Sequence, residues 1–167
     1  MYKEPGIKEI IKQKRQRRKI LKDLLSKDAN RVWRGASWII SMGQEHSQIQ
    51  PFVKHLSRIK KDTWGLSLGG MIASNQRILD LAIKTIEFHG EEHHCFCELY
   101  ALGGADCFFD PKQQEEKGYV KILESVPYPN SRSIDHYLVE CTRCGRRWKV
   151  VEGVYHMMWW EWMDENG

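Results

Sequence analysis

The 167-residue chain contains no run approaching the roughly 18 consecutive apolar residues that a membrane-spanning helix needs. Its first residues, MYKEPGIKEI, lack the apolar stretch of a secretory signal. These two absences predict a cytoplasmic protein with no membrane partner. Thiols in that compartment stay reduced. The five cysteines, an odd number, also argue against a complete disulfide set, so closely paired cysteines point to metal. A glycine-rich phosphate loop is missing, and so is the HExxH pattern of zinc proteases. Nothing orders the serines, histidines and acids into a triad. These gaps favour a non-catalytic protein.

Enough apolar sequence is present for a folded core: 41% of residues are hydrophobic. The length corresponds to one domain or two small ones. Charge is unevenly distributed. Residues 1–34 hold 12 of the 26 Lys/Arg but only 4 of the 22 Asp/Glu. A basic arm on a mildly acidic body suits either a nucleic-acid contact or a solvated helix.

Residues 1–90 carry helical periodicity. The first helix is expected from about Ile7 to Ser26, with an apolar stripe interrupted by Lys12–Lys19, where six of eight residues are Lys or Arg. The second follows Asp28 as N-cap and stops near Gly43, with Val32, Trp33, Ala36, Ile39 and Ile40 on one face. The third follows Ser47, with Pro51 in its first turn and Ile49, Phe52, Val53, Leu56 and Ile59 at helical spacing. The fourth follows Gly69-Gly70, lines up Ile72, Leu79, Ala82, Ile83 and Ile86, and ends at Gly90. Short helices joined by short loops resemble one or two HEAT-like repeats, or a plain bundle. No motif recurs at a fixed period.

Residues 91–167 change character. Cys95–Tyr100 and Tyr119–Val126 are expected as short strands, on β-branched and aromatic content. Gly103–Gly118 is expected as an irregular linker. His136–Cys141 and Arg146–Val151 should flank Thr142–Gly145 as a hairpin. Gly153 is expected in a second turn, followed by a last strand over Val154–Trp162. The fold class is thus α+β: an N-terminal helical region with a basic first helix, then a small antiparallel β module, packed as one unit.

The β module carries the chemistry. In Cys141-Thr142-Arg143-Cys144-Gly145, two intervening residues let a tight turn aim both sulfurs at one ion, and the glycine permits the left-handed backbone that closes it. Cys95-Phe96-Cys97 supplies a second pair, because residues i and i+2 of a strand share a face. Four thiolates, Cys95, Cys97, Cys141 and Cys144, would hold one structural Zn2+, clasping the end of the helical half to the C-terminal hairpin. His93 or His94 in place of one cysteine is the main variant, and Cys107 is left over as a plain core thiol. The segment 136–151 resembles a zinc-ribbon knuckle, which implies metal but no specific activity.

A catalytic zinc is the weaker alternative. His89-Gly90-Glu91 with Cys141-x-x-Cys144 partly matches the deaminase signature, but no proline precedes the pair, and four thiolates leave no open coordination site. Two surfaces remain. Lys12, Lys14, Arg15, Arg17, Arg18 and Lys19 suit phosphate contacts. Among the C-terminal aromatics, strand alternation sends Trp160 and Trp162 to the core and Trp159 to the opposite face. Tyr155 and Met157 add to the same apolar supply. The expectation is a non-catalytic zinc protein binding another protein, of adaptor or immunity type. The alternatives are a nucleic-acid-binding regulator using the basic helix, and a zinc hydrolase or deaminase.

Overall fold

The computed structural model describes residues 6–70, 75–104, 107–155 and 157–165. Ile72, expected on the fourth helix, and the side chains of Tyr155 and Met157 lie outside what is described. The fold is α+β, with helices first and strands last, in two compact units: Met1–Glu92 and His93–Gly167. None of the helices among the described residues is long and apolar enough to cross a membrane.

In the first unit, α1 (Ile7–Leu24) buries only Ile20, Asp23 and Leu24, all near its C-terminal end. Its first three turns, where the cations crowd, cover no core. α2 (Ala29–Ser41) begins at Asp28, whose carboxylate accepts from the Arg31 amide at 2.8 Å, as an N-cap should. Val32, Gly35, Ala36, Ile39 and Ile40 are buried. Trp33, expected among them, is instead 41% exposed, because it falls one step outside the stripe that faces α1. Gly35 permits the close approach of the two helices: a Cβ there would sit 3.0 Å from Leu24 Cγ.

Asp23 ties α1 to α2. Its buried carboxylate accepts from Arg31 Nε at 3.1 Å and from Arg34 Nε and Nη2, both at 3.0 Å. Both guanidiniums keep about half their surface in water, so the carboxylate is desolvated while its partners stay hydrated.

The third expected helix is two short ones, α3 (His46–Val53) and α4 (Leu56–Thr63). Pro51 lies near the end of α3, not in its first turn. A proline cannot donate to the carbonyl four residues back. That carbonyl belongs to Ser47, and Arg17 of α1 donates to it at 3.0 Å instead. α5 (Gln76–Phe88) starts later than expected, buries Leu79, Leu81, Ala82, Thr85 and Ile86, and packs chiefly on α2. After it, the buried His89 contacts the Gly43 carbonyl through Nε2 at 2.8 Å and His46 Nδ1 through Nδ1 at 2.9 Å. Carbonyl oxygen only accepts, so His89 Nε2 carries a proton.

In the second unit, a 3-10 helix (Phe96–Leu102) and α6 (Pro111–Glu116) precede a four-stranded antiparallel sheet. The strands are β1 (Val120–Pro127), β2 (Ile134–Cys141), β3 (Arg147–Tyr155) and β4 (Met157–Asp164), in the order β1-β2-β3-β4. Four expectations fail here. Cys95–Tyr100 forms no strand, and the last strand starts at Met157 rather than Val154, which belongs to β3. The segment expected as an irregular linker contains α6, capped by Asp110 with Pro111 at its first position. Gly153 is not in a turn but within β3, opposite Trp159. The Trp159 indole lies across it so closely that a Cβ would stand 2.0 Å from Cζ2. Tyr137, Val139, Trp148, Val150, Trp160 and Trp162 fill one sheet face. Tyr100 of the 3-10 helix stacks on Trp162 at 4.1 Å, and the Trp162 indole N–H donates to the Phe109 carbonyl at 2.8 Å.

Replacing Asp23 by Ala removes one charged acceptor while leaving both arginines in contact with solvent. Stability should fall by about 1–3 kcal/mol, read as a lowered urea midpoint with an unchanged slope.

Candidate metal centre

The knuckle is built by local chain chemistry. At the end of β2, the Cys141 amide donates to the Arg146 carbonyl at 2.8 Å, and the Gly145 amide donates to the Cys141 carbonyl at 2.9 Å. Gly145 turns the chain with φ +74°. The Arg146 amide donates to Cys144 Sγ. The turn is anchored from outside by Thr142, whose hydroxyl donates to the Gly118 and Tyr119 carbonyls at 2.8 and 3.0 Å. Those carbonyls are held in place by the end of α6. There Gly118 (φ +76°) donates to Glu115 O and Tyr119 to Gln114 O, the paired bonds of a Schellman cap.

The second cysteine pair is not in a strand. Cys95 is extended (φ −155°, ψ 148°) and precedes the 3-10 helix, whose first turn carries Cys97. The strand-face argument for their convergence therefore does not apply. What aligns them is the tight turn itself, in which the Cys97 amide donates to Cys95 Sγ. Both pairs thus carry an N–H···S bond, one in each turn.

All four sulfurs lie within 4.8 Å of one another. Cys95 Sγ is 3.7 Å from Cys141 Sγ, and Cys97 Sγ is 3.6 Å from Cys144 Sγ. A tetrahedron with metal–sulfur bonds of about 2.3 Å has edges of about 3.8 Å. Covalent disulfides would need about 2.05 Å. The cluster therefore has the size of a tetrahedral MS4 site, with Cys95, Cys97 and Cys141 buried and Cys144 half-buried. Every ligand belongs to the second unit, so the cluster closes a loop inside that unit rather than reaching back to the helices.

The electrostatics fit a cation. Burial, followed by the charge of Cys141, pushes the Cys97 thiol far up, and burial pushes Cys95 up. Burial opposes ionisation of Cys144 too, but hydrogen bonds from the Arg146 amide and the neighbouring thiols hold it below its ordinary value. A buried thiolate set of this kind is stable only around a positive ion. Four thiolates around a divalent ion still leave a net charge of −2. Arg143 lies over the rings of Phe96 and Tyr119 at 5.6 and 5.4 Å, and Arg146 pairs with Glu98 at 3.3 Å and Asp164 at 3.8 Å. These two arginines escape a search for ligand types. Their only sequence signal is cationic residues inside and next to a Cys-x-x-Cys turn.

His93 and His94 are not in the cluster; the His93 ring packs on Phe96 at 4.6 Å. Cys107 is exposed and in no disulfide, not the expected core residue. The expected basic residues all lie on α1. Lys12, Lys14, Arg15, Arg18 and Lys19 are exposed and Arg17 is half-buried. Lys14, Arg17 and Arg18 line a depression of about 350 Å³ together with α3 residues and the two that follow them. Lys12, Arg15, Arg18 and Lys19, with Gln16 and Lys22, line a second of about 600 Å³.

No family model matches this chain, and no curated protein or solved structure matches it either.

Cys97→Ser replaces a thiolate with a poor ligand at one corner. Metal affinity should fall by more than the roughly 10–100-fold typical of losing an outer-shell partner. Elemental analysis of the purified variant should find the site largely empty. Near-ultraviolet dichroism from the Tyr100–Trp162 stack should weaken while far-ultraviolet helix signal persists.

Proposed function

We propose that this is a non-catalytic zinc protein that works as a protein-interaction module of the adaptor or immunity kind. Zn2+ is held by Cys95, Cys97, Cys141 and Cys144 and serves only to build the second unit. The observation that carries this is the closed four-sulfur cluster. Catalytic zinc keeps a position free for water or substrate, whereas four cysteine sulfurs at tetrahedral spacing fill every position. The deaminase alternative loses support in a second way. His89, which would supply part of its signature, is engaged with His46 and the Gly43 carbonyl in the first unit. Zinc is preferred over iron, the other usual occupant of a tetrahedral S4 site, because a structural role needs no redox chemistry.

A second function, nucleic-acid binding, has one observation in its favour. Lys12, Arg15, Lys19 and Lys22 follow one another at helical spacing along a fully exposed side of α1. Such a stripe neutralises phosphates and releases counterions.

The two are separated by affinity capture from nuclease-treated extract, using zinc-loaded and cadmium-loaded protein. Cadmium accepts the same thiolate tetrahedron without zinc's Lewis acidity. The protein-binding function predicts one protein retained in the same ratio by both forms, and retained at raised salt. Recovery of nucleic acid alone from untreated extract, lost steeply as salt rises, would contradict it.

A further inference from the structure

Resting on the protein-binding function above, we propose that the groove between α1 and α3 docks an acidic segment of another protein that carries apolar side chains among its carboxylates. The groove lies wholly within the first unit, and its volume of about 350 Å³ is at the small end of natural ligand sites. Its floor is apolar, formed by Leu21, Pro51 and Phe52, and its rim is cationic, with Lys14, Arg17, Arg18 and Lys54. Among the described residues none of these four cations is paired with a carboxylate. Arg17 is already positioned, because its guanidinium spans to the Ser47 carbonyl that Pro51 leaves unbonded.

The surface extends beyond the groove. Ile7, Ile11, Lys14, Arg18 and Leu21 recur at the spacing that places them along one stripe of α1. Ile7 is 78% exposed and Ile11 61%. The track therefore runs from two exposed isoleucines through two cations to the apolar floor.

That combination of apolar and cationic groups selects the occupant. A phosphate backbone would satisfy the cations but leave the isoleucines and the floor without apolar contact. A second copy of α1 would set cation against cation. An acidic segment with interspersed leucine or phenylalanine satisfies both components, with carboxylates on the rim and apolar side chains on the floor. Charge speeds and orients the encounter, and apolar burial supplies the affinity that distinguishes this ligand from a bare polyanion.

The test uses the full zinc-loaded chain and a fluorescent peptide of about three helical turns, with Leu and Phe alternating with Glu and Asp. The comparison probes are the same peptide with Ser for every Leu and Phe, a DNA duplex, and vesicles containing phosphatidylserine. Anisotropy and vesicle sedimentation give the affinities. The acidic apolar peptide should bind at least about tenfold more tightly than its serine counterpart. Lys14→Glu with Arg18→Glu should weaken it by about tenfold or more. Leu21→Ser should weaken the peptide several-fold while leaving any duplex binding unchanged. Unchanged far-ultraviolet dichroism and zinc content keep each variant interpretable.

The proposal is overturned if the serine peptide, the duplex or the vesicles bind as tightly as the acidic apolar peptide. It is also overturned if folded wild-type protein does not bind that peptide, or if the folded double variant binds it undiminished. Peptide binding by a chain whose metal site retains a water ligand would instead sink the structural-zinc function and leave the groove standing.

Discussion

Four sulfurs held within 4.8 Å of one another cannot all ionise unless a cation sits among them. The second unit is arranged around that constraint. Two tight turns, remote in sequence, must each present a pair of sulfurs, and each turn is already shaped by its own N–H···S bond. The turn at Cys141 is pinned by Thr142 to the chain leaving α6. The turn at Cys95 is continued by the 3-10 helix, which delivers Tyr100 into the stack with Trp162. Metal ligation and aromatic packing therefore share a scaffold. Arg146 joins the 3-10 helix to the end of β4 through Glu98 and Asp164.

The first unit works by different means. Its α1–α2 pair is fixed at one end by a buried carboxylate shared between two arginines and by a glycine that lets the helices approach. The opposite end of α1 is left uncovered, with apolar and cationic side chains in water. A helix anchored by its last turns and free over its first presents a long, stiff surface at little cost to the core. That is the physical basis for the proposal that α1 binds a partner while the metal site supports the second unit.

What was legible in the sequence was what local chemistry decides. The Cys141–Gly145 knuckle needs only a turn and a glycine, and it lies where the spacing puts it. α1 and α2 follow from 3.6-residue periodicity and from Asp28 as a cap, and the hairpin of β2 and β3 follows from its flanking alternation. The rest depended on contacts with distant residues. Cys95-Phe96-Cys97 has strand-like alternation, yet it enters a 3-10 helix, a form with no period-2 signature to betray it. Gly153 looked like a turn because glycine usually marks one; its actual role, making room for the Trp159 indole, requires knowing that β4 folds back beside β3. Pro51 looked like a helix start, but Arg17 accommodates it near a helix end. The groove combines α1 with Pro51, Phe52 and Lys54, so the basic run alone could not reveal its apolar floor.

The central claim is that four cysteine sulfurs close the zinc site, and X-ray absorption at the zinc edge of the purified protein addresses it most directly. The account predicts a single shell of four sulfur neighbours at about 2.3 Å with no nitrogen or oxygen scatterer. Three sulfurs with one oxygen or nitrogen at about 2.0–2.1 Å would contradict it, placing a water or a histidine on the metal and reopening the site to catalysis.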